Sequence, residues 1–326
     1  MQLQFTKMHG CGNDYIYVNG FTQQVPQGEK PALVRRLSDR HFGVGGDGVI
    51  FINPSKIADF EMEMYNMDGS RGEMCGNGIR CVGKYVYDRG MTDGRTTFTV
   101  ASCGKIKILE LACEGEKALT VRVNMGAPIM EPAKIPAIPA EGFPKEEPIL
   151  MQPVEARGRP WQVTCISMGN PHAVIFLTPK DITALSGKDQ KESEPIEEDR
   201  REGESDGGNQ RIDTPALSLR DLDLTGIGPQ FENHSRFPNR INTEFVQVVD
   251  RRHVKMRVWE RGTGETLACG TGACAVAVAG VLNGLTDRKV EIQLPGGTLL
   301  IEWDEESGDV YLTGPAEEVF EGTIKI

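Results

Sequence analysis

A short motif, Cys-Gly-x-Gly, occurs twice in the chain, and its two copies are 194 residues apart. When the chain is shifted by this distance, residues 51–90 align without a gap onto residues 245–284. Only seven of the forty aligned pairs are identical, so the count alone does not establish a duplication. The placement of the matches is more informative, because Cys75 falls on Cys269 and an apolar, helix-like segment follows each. A repeat of this size predicts two similar lobes in one chain.

Short strand-like segments, separated by turns rich in glycine and aspartate, make up most of the sequence. Clear strand patterns occupy residues 48–53, 59–65, 97–100 and 242–249. Helical patterns are fewer and occupy residues 31–40, 79–88 and 273–282. We therefore expect an α+β fold of two β-rich lobes, with one buried helix after each Cys-Gly-x-Gly turn.

Length and charge limit the classes of function. At 326 residues the chain is long enough for two hydrophobic cores. Its net charge of −11 does not favour nucleic acid or an anionic membrane as a partner. The longest apolar run, residues 273–282, is shorter than the ~20 residues of a membrane-spanning helix. With no cleavage signature at its start, the chain is expected to be cytoplasmic, and its eight cysteines to be thiols.

Residues 186–212 differ in composition from the rest of the chain. They contain nine acidic and five basic residues, no aromatic residue, and only Ile196 and Ile212 as large apolar side chains. Such a segment cannot bury enough apolar surface to offset its ordering entropy. It is predicted to be a disordered surface insertion in the second lobe, and a regulatory docking site is the alternative.

Cys75 and Cys269 are the candidate catalytic residues. Each precedes Gly-x-Gly at the predicted start of a helix, where unpaired N–H groups and the helix dipole bind anions and lower the pKa of a thiol. Two such thiols, one in each lobe, would suit a reaction that needs an acid and a base on opposite faces of one carbon atom. The alternative is a pair of unreactive core thiols, which is how we interpret Cys81 and Cys274.

Two other uses of these residue types fit the sequence less well. Structural zinc sites use closely spaced cysteine pairs, whereas Cys81 and Cys274 follow the motif cysteines by five and four intervening residues, with no histidine nearby in sequence. Residues 43–48 match the Gly-x-Gly-x-x-Gly pattern. They follow a helical pattern and precede a strand, which is the reverse of the order in a dinucleotide site.

Three polar residues are further candidates. His172 lies in the segment SMGNPH, and a lone histidine is more often structural than catalytic. Glu260 and Arg261 follow a strand just before the second Cys-Gly-x-Gly turn. An arginine in this position can bind a substrate carboxylate through two hydrogen bonds. A solvated charge pair at the end of a strand is the alternative.

Five ordered motifs resemble the diaminopimelate epimerase family: KMHGCGND, DRHFGVGGDG, YNMDGS with MCGNGIRC, SMGNPH, and ERGTGETLACGTGACA. The resemblance covers nearly the whole chain outside residues 186–212. It implies the interconversion of LL- and meso-diaminopimelate, on the bacterial and plant route to lysine and peptidoglycan, without pyridoxal phosphate, metal or any other cofactor. It also implies a homodimer and two pseudo-symmetric lobes, each a β-barrel-like sheet around a central helix.

The resemblance also implies a division of the chain and a role for each motif residue. Residues 1–128, with 315–326 crossing back, would form the N-terminal lobe, and residues 129–314 the C-terminal lobe. Cys75 and Cys269 would be the two catalytic cysteines, one acting as base and the other as acid with roles that reverse with the direction of the reaction, and His172 would assist cysteine deprotonation. The reacting carboxylate would be held by the backbone N–H groups of Gly76, Asn77, Gly270 and Thr271. The rest of the substrate would be recognised by Asn13, Asn66, Asn170, Asn242, Glu260 and Arg261, the last of these at the distal carboxylate.

Gly48 departs from the family pattern, because some members carry there a glutamine that contacts the substrate. That contact is either missing here or made by another group, such as Asp47. The nearest alternative function is a proline-racemase-like enzyme with the same two-thiol chemistry, although proline has no distal carboxylate for Arg261. A non-catalytic thiol or zinc-binding protein is the alternative from another class.

Overall fold

The computed structural model describes residues 2–72, 74–185 and 218–325. The insertion predicted at residues 186–212 therefore lies outside the described residues. The first half contains the strands β1 (Gln2–Gly10), β2 (Asn13–Asn19), β3 (Gly48–Asn53), β4 (Phe60–Asn66), β5 (Thr97–Ser102), β6 (Lys105–Glu114) and β7 (Lys117–Gly126). The second half contains β8 (Gln152–Ala156), β9 (Arg159–Ser167), β10 (Pro171–Phe176), β11 (Asn242–Asp250), β12 (His253–Glu260), β13 (Gly264–Thr266), β14 (Lys289–Leu294), β15 (Gly297–Trp303), β16 (Val310–Pro315) and β17 (Glu317–Lys325).

Five α-helices lie between the described strands: α1 (Lys30–Ser38), α2 (Gly76–Asp88), α3 (Pro179–Leu185), α4 (Leu224–Glu232) and α5 (Gly270–Leu282). The sequence patterns predicted α1, α2 and α5 but not α3 or α4. The α4 segment contains two glycines and the internal Pro229, so its helix propensity is weak. Ile227 and Phe231 are fully buried, and their packing stabilises the helix despite that propensity.

The order of parallel and antiparallel strand pairings is the same in both halves of the chain. From β1 to β7, successive pairings are antiparallel, parallel, antiparallel, parallel, antiparallel and antiparallel. The order is identical along β9, β10, β11, β12, β14, β15 and β16. Six matched pairings confirm the prediction of two pseudo-symmetric, sheet-rich lobes.

A central helix follows each Cys-Gly-x-Gly turn. Both α2 and α5 have 13 residues, and each packs against the strands of its own lobe. The α5 sequence is apolar on every side, which is typical of a helix that is buried all round. Both helices begin three residues earlier than the apolar patterns predicted, because the cysteine side chains cap them by accepting backbone N–H groups.

The last two strands connect the lobes. β16 pairs with β15 of the second lobe and with β7 of the first, and β17 pairs with β1. Only Ala316 separates β16 from β17, so this segment lies between the two ends of the first sheet. The division of the chain at residues 128 and 129 stays a prediction. No helix within the described ranges is long and apolar enough to span a membrane.

Candidate active site

The two central helices meet at their N-termini. A Cβ atom built on Gly76 would lie 3.8 Å from Cα of Gly270, and one built on Gly270 would lie 3.6 Å from Cα of Gly76. Each helix directs unpaired N–H groups and the positive end of its dipole toward this junction. The junction is therefore suited to bind an anion.

Cys75 caps the start of α2. Its backbone is extended, with φ −126° and ψ 113°, and its Sγ accepts the N–H of Gly78 at 3.3 Å. The same sulfur lies 3.3 Å from Oδ1 of Asn13, to which a protonated thiol would donate. The residue is partly exposed.

Cys269 caps α5 in nearly the same conformation, with φ −120° and ψ 109°. Its Sγ accepts the N–H of Gly272 at 3.4 Å and lies 3.5 Å from Oγ1 of Thr271. Cys269 is buried, with 6% of its surface exposed. The two thiols therefore occupy equivalent positions on opposite lobes, but in different surroundings.

Burial raises the pKa of both thiols, and it outweighs the backbone N–H groups that lower it. For Cys269 the negative charges of Glu260 and Glu244 raise the pKa further. The expectation that a helix N-terminus would lower these pKa values was therefore wrong for the ligand-free site. Burial removes water from around each sulfur, and this disfavours the thiolate more than the hydrogen bonds to the sulfur favour it.

Asn77 links the two halves of the site. Its Nδ2 donates to the carbonyl oxygen of Ala268, next to Cys269, at 3.2 Å and to Oδ1 of Asn13 at 3.4 Å. Its Oδ1 accepts from Nη1 of Arg80 at 3.0 Å. The fully buried Arg80 thus fixes the orientation of the amide, a role that the motif pattern did not predict.

Asp47 supports the site from the first lobe. Its Oδ2 accepts from Nδ2 of Asn13 at 2.7 Å, so that the Asn13 oxygen faces the cysteine. Burial, and then the negative charge of Asp14, raise the pKa of Asp47. At the neighbouring Gly48, a Cβ atom would lie only 2.0 Å from the carbonyl oxygen of Tyr65. This backbone leaves no room for a side chain at position 48.

His172 lies beside Cys269 and is fully buried. Its Nδ1 is 2.6 Å from Oε1 of Glu244, and its Nε2 is 3.1 Å from Oδ1 of Asn170. In the described part of the chain, His172, Glu244 and Cys269 form a group whose ligand-type atoms lie within 4.8 Å of one another. Because both ring nitrogens of His172 already have oxygen partners, we interpret this group as a hydrogen-bonded chain rather than as a metal centre.

Glu260 and Arg261 lie at the end of β12. Burial raises the pKa of Glu260, and its side chain accepts a hydrogen bond from Thr266. The backbone N–H of Arg261 donates to Oδ1 of Asn242 at 2.8 Å, whereas its side chain is exposed and reaches the carbonyl of Asn239 at 3.1 Å. The guanidinium group is therefore available to a ligand.

Most of the residues predicted from the motifs come together around the helix junction, through the contacts given above. Asn66 is an exception, since its amide donates to Ser70 within its own turn at 3.0 Å. Arg261 is another, since its side chain reaches the carbonyl of Asn239. Sequence reasoning missed Glu244 and Arg80. Arg80 carried a signal, because it puts a charged residue in a helix that was predicted to be buried, whereas Glu244 lies in a strand for which no burial was predicted. Two opposed thiols at an anion-binding junction can move protons on and off a bound carboxylate compound.

The sequence of this chain is similar to those of proteins from a known family. The family model for diaminopimelate epimerase matches residues 5–131 and 216–319. A diaminopimelate epimerase of Acetivibrio thermocellus is 49% identical over 99% of this chain and 99% of its own length. One of Methanococcus maripaludis is 45% identical over 99% of this chain and its full length.

Solved structures with low sequence identity share the fold. A phenazine biosynthesis protein of the PhzF family from Bacillus anthracis superposes with a TM-score of 0.63 at 14% identity, covering 100% of both chains. A hydroxyproline epimerase from Agrobacterium vitis gives a TM-score of 0.58 at 14% identity, covering 99% of this chain and 91% of its own. At such identities the similarity concerns the fold alone.

Proposed function

The chain belongs to the diaminopimelate epimerase family, and we propose that it interconverts LL- and meso-diaminopimelate with Cys75 and Cys269 as its acid–base pair. The observation that carries this proposal is the meeting of two cysteine-capped helix N-termini at Gly76 and Gly270. One thiolate removes the α-proton, and the other cysteine, as a thiol, protonates the opposite face. The roles reverse with the direction of the reaction.

The helix junction would hold the reacting carboxylate. The backbone N–H groups of Gly76, Asn77, Gly270 and Thr271 lie in the first turns of α2 and α5, where no intrahelical acceptor is available. Negative charge that develops at the α-carbon spreads into the carboxylate, so donors fixed at this point stabilise the transition state more than the ground state. This stabilisation needs no cofactor, and none is part of the proposal.

The remaining polar groups would recognise the rest of the substrate. Arg261 carries an exposed guanidinium that can pair with the distal carboxylate. We assign recognition of the rest of the substrate, including its distal amino group, to Asn13, Asn66, Asn170, Asn242 and Glu260. His172 would assist the ionisation of Cys269. Since position 48 has no room for a side chain, the glutamine contact of other members has no equivalent at that position.

We also propose that the enzyme acts in the cytoplasm as a homodimer on this small-molecule substrate. The support is the family membership of the chain and a net charge that does not favour nucleic acid or anionic membranes. Light scattering coupled to size-exclusion chromatography would test the dimer. A mass that stays at 35.8 kDa at micromolar concentration would contradict it.

A direct assay tests the activity. Purified protein is incubated in parallel with LL-diaminopimelate and with L-proline, and the stereoisomers are separated by chiral chromatography. Turnover of the first substrate alone is the expected result. Turnover of proline alone would favour a racemase of the same fold, and turnover of neither substrate would leave the thiols without the proposed role. Cys113 is a partly exposed cysteine on β6 outside the proposed site. Cys113→Ala is therefore the matched control for the loss of Cys75 or Cys269, and it should remain active.

A further inference from the structure

Arg80 is a buried cation next to the junction of the two central helices. None of its surface is exposed, and a guanidinium group stays protonated in proteins. Among the described residues, its hydrogen bonds run to neutral acceptors and none runs to a carboxylate. The acceptors are the carbonyl oxygens of Gly76 at 3.0 Å and Pro315 at 3.1 Å, Oδ1 of Asn77 at 3.0 Å, and Sγ of Cys11 at 3.7 Å.

The thiols around Arg80 do not balance its charge. Burial raises the pKa of Cys11, and it raises the pKa of Cys81 to about 11 and that of Cys274 to about 12. These thiols are therefore neutral at pH 7. Glu317, whose charge acts on Cys11, is exposed to solvent, where its charge is screened. A buried charge is costly unless it is paired, so the cation has a cost in the ligand-free protein.

The fold does not require a cation at this position. At the shift of 194 residues Arg80 corresponds to Cys274, and the two side chains are fully buried one turn after Gly76 and Gly270. A small, neutral side chain thus fills the equivalent position in α5. A positive charge near a helix N-terminus is also unfavourable, because the dipole of the helix repels it. Helix packing therefore does not account for Arg80.

The backbone around Arg80 leaves room for the guanidinium group. A Cβ atom on Gly10 would lie 2.9 Å from its Nη2, and one on Gly314 would lie 3.2 Å from its Nε. Both contacts are too close for a side chain at these two positions. The cation consequently lies in a close-fitting space between β1, α2 and β16, and it keeps a fixed place beside the junction.

We propose that Arg80 is a positioning residue whose charge has no counter-ion until the reacting carboxylate of the substrate binds at the helix junction. Through Gly76 and Asn77, Arg80 fixes the first turn of α2, whose N–H groups would hold that carboxylate. Its charge adds to the two helix dipoles without contact with the substrate. The negative charge that develops during the reaction is then stabilised by a cation that is already in place. This inference rests on the function proposed above.

The charge of Arg80 also acts on Cys75. Burial raises the pKa of Cys75, and the charge of Glu260 raises it as well, whereas Arg80 and backbone N–H groups at the start of α2 lower it. The other titratable groups that act on Cys75, or on which Cys75 acts, are all neutral at pH 7, because burial raises their pKa: Cys81 on α2, and Tyr15 and Tyr17 on β2. Arg80 is the cationic group in this set, so it favours the thiolate of Cys75 as well as the bound carboxylate.

Two alkylating agents of nearly the same shape test the proposal at the partly exposed Cys75. Iodoacetate carries a carboxylate and iodoacetamide does not, and both react with the thiolate. The ratio of their rates, mapped to Cys75 by mass spectrometry, therefore measures how strongly the junction attracts an anion and does not depend on the pKa of the thiol. In the native protein at pH 7, the ratio should exceed that of the neutral thiol N-acetylcysteine amide by roughly tenfold, the order expected for one charge in a protein interior.

Arg80→Met removes the charge and keeps a long side chain. It should lower the iodoacetate-to-iodoacetamide ratio at Cys75 by roughly tenfold and move the onset of iodoacetamide alkylation to higher pH. Arg80→Lys, which restores the charge, should keep most of the native ratio. Arg89→Met is the matched control, since Arg89 follows the last residue of the same helix but pairs with Glu318 and Glu321. It should leave both the ratio and the pH profile unchanged.

Two results would overturn the proposal. One is a native protein whose ratio equals that of N-acetylcysteine amide, and this result decides even if Arg80→Met fails to fold. The other is a folded Arg80→Met with the native ratio, including a variant in which both reagents react faster by the same factor, because that would show a structural role alone. None of these measurements uses diaminopimelate, so a failure of the proposed epimerase activity would be recognised separately.

Discussion

Gly76 and Gly270 lie against each other at the point where the two central helices begin, with each Cα within 4 Å of a Cβ built on the other. Two helix N-termini seldom meet so closely, because their positive ends repel unless an anion lies between them. The arrangement thus has an electrostatic cost without ligand, and a bound carboxylate removes that cost. A side chain at either glycine changes the distance between the helices.

The two glycines should differ in their tolerance of alanine. A Cβ on Gly270 would lie 3.1 Å from Cδ1 of Leu312, tighter than an ordinary contact, whereas the nearest atom to a Cβ on Gly76 is Cε of Met125 at 3.5 Å. We expect Gly270→Ala to reduce kcat/KM by up to about 10-fold, because Leu312 or the helix has to shift by a few tenths of an ångström, whereas misplacing catalytic groups by about 1 Å costs roughly 100-fold. Gly76→Ala should reduce it much less. Steady-state kinetics of both variants measure the difference, and equal losses would contradict the geometry.

Replacement of either Cys75 or Cys269 should abolish epimerisation if they form the proposed acid–base pair. Cys75→Ala and Cys269→Ala each remove the group on one face of the α-carbon, so kcat should fall by at least the 10²–10⁴-fold that general acid–base groups contribute. Each variant can still exchange the α-proton of one stereoisomer with solvent, because the remaining cysteine serves its own face. Deuterium incorporation from heavy water, followed by mass spectrometry, measures this. Native turnover in Cys269→Ala would rule out the two-base mechanism.

Arg261→Ala should weaken substrate binding without affecting folding. The guanidinium is exposed and bonded only to the carbonyl of Asn239 among the described residues, so its loss leaves the core unchanged. A charge-assisted pair that is desolvated in a complex is worth about 2–5 kcal/mol, and we expect KM to rise by roughly 30-fold or more. Arg240→Ala, an exposed arginine nearby that pairs with Glu232, is the matched control. If Arg261→Ala changed neither KM nor the melting temperature, Arg261 would be a surface residue without a role in substrate binding.

The sequence predicted those parts of the site that depend on local backbone geometry. Cys75 and Cys269 cap helices because a cysteine followed by Gly-x-Gly places its sulfur over free N–H groups, and that relation is contained in four consecutive residues. Whether the pKa of each thiol is raised or lowered depends on how deeply the folded chain buries it. A local sequence motif does not contain that information. For that reason the prediction of lowered pKa values was wrong.

Glu244 and Arg80 were missed for a related reason. At the shift of 194 residues Glu244 corresponds to Ile50, one position before the aligned residues 51–90, so the repeat gave no indication of a charged residue there. Arg80 lies one turn into α2 and reaches back to the carbonyl of Gly76 at 3.0 Å. The contact of Glu244 with His172 joins residues that are distant in sequence. Arg80 contacts Gly76 and Asn77 within one helical turn, but its burial and its hydrogen bond to the carbonyl of Pro315 depend on tertiary packing.

The buried ion pair of Lys30 with Glu63 predicts a pH dependence of stability in the first lobe. Burial alone would raise the pKa of Glu63, but hydrogen bonds from Lys30, Gln27 and Tyr65 outweigh it and lower the pKa to about 2 from its ordinary value of 4.5. Since each pKa unit is worth ~1.4 kcal/mol, the ionised group contributes about 3 kcal/mol.

The sign of the effect follows from the lowered pKa. A group that ionises more readily when folded stabilises the fold fully above pH 4.5, and this contribution is lost as the pH falls toward 2. Glu63→Gln should therefore be less stable than the native protein by about 3 kcal/mol at pH 7, and the difference should shrink steadily below pH 4.5. Urea unfolding at pH 7, 5, 4 and 3 measures it. A difference that is constant over this range would mean that the charge on Glu63 is not what stabilises the pair.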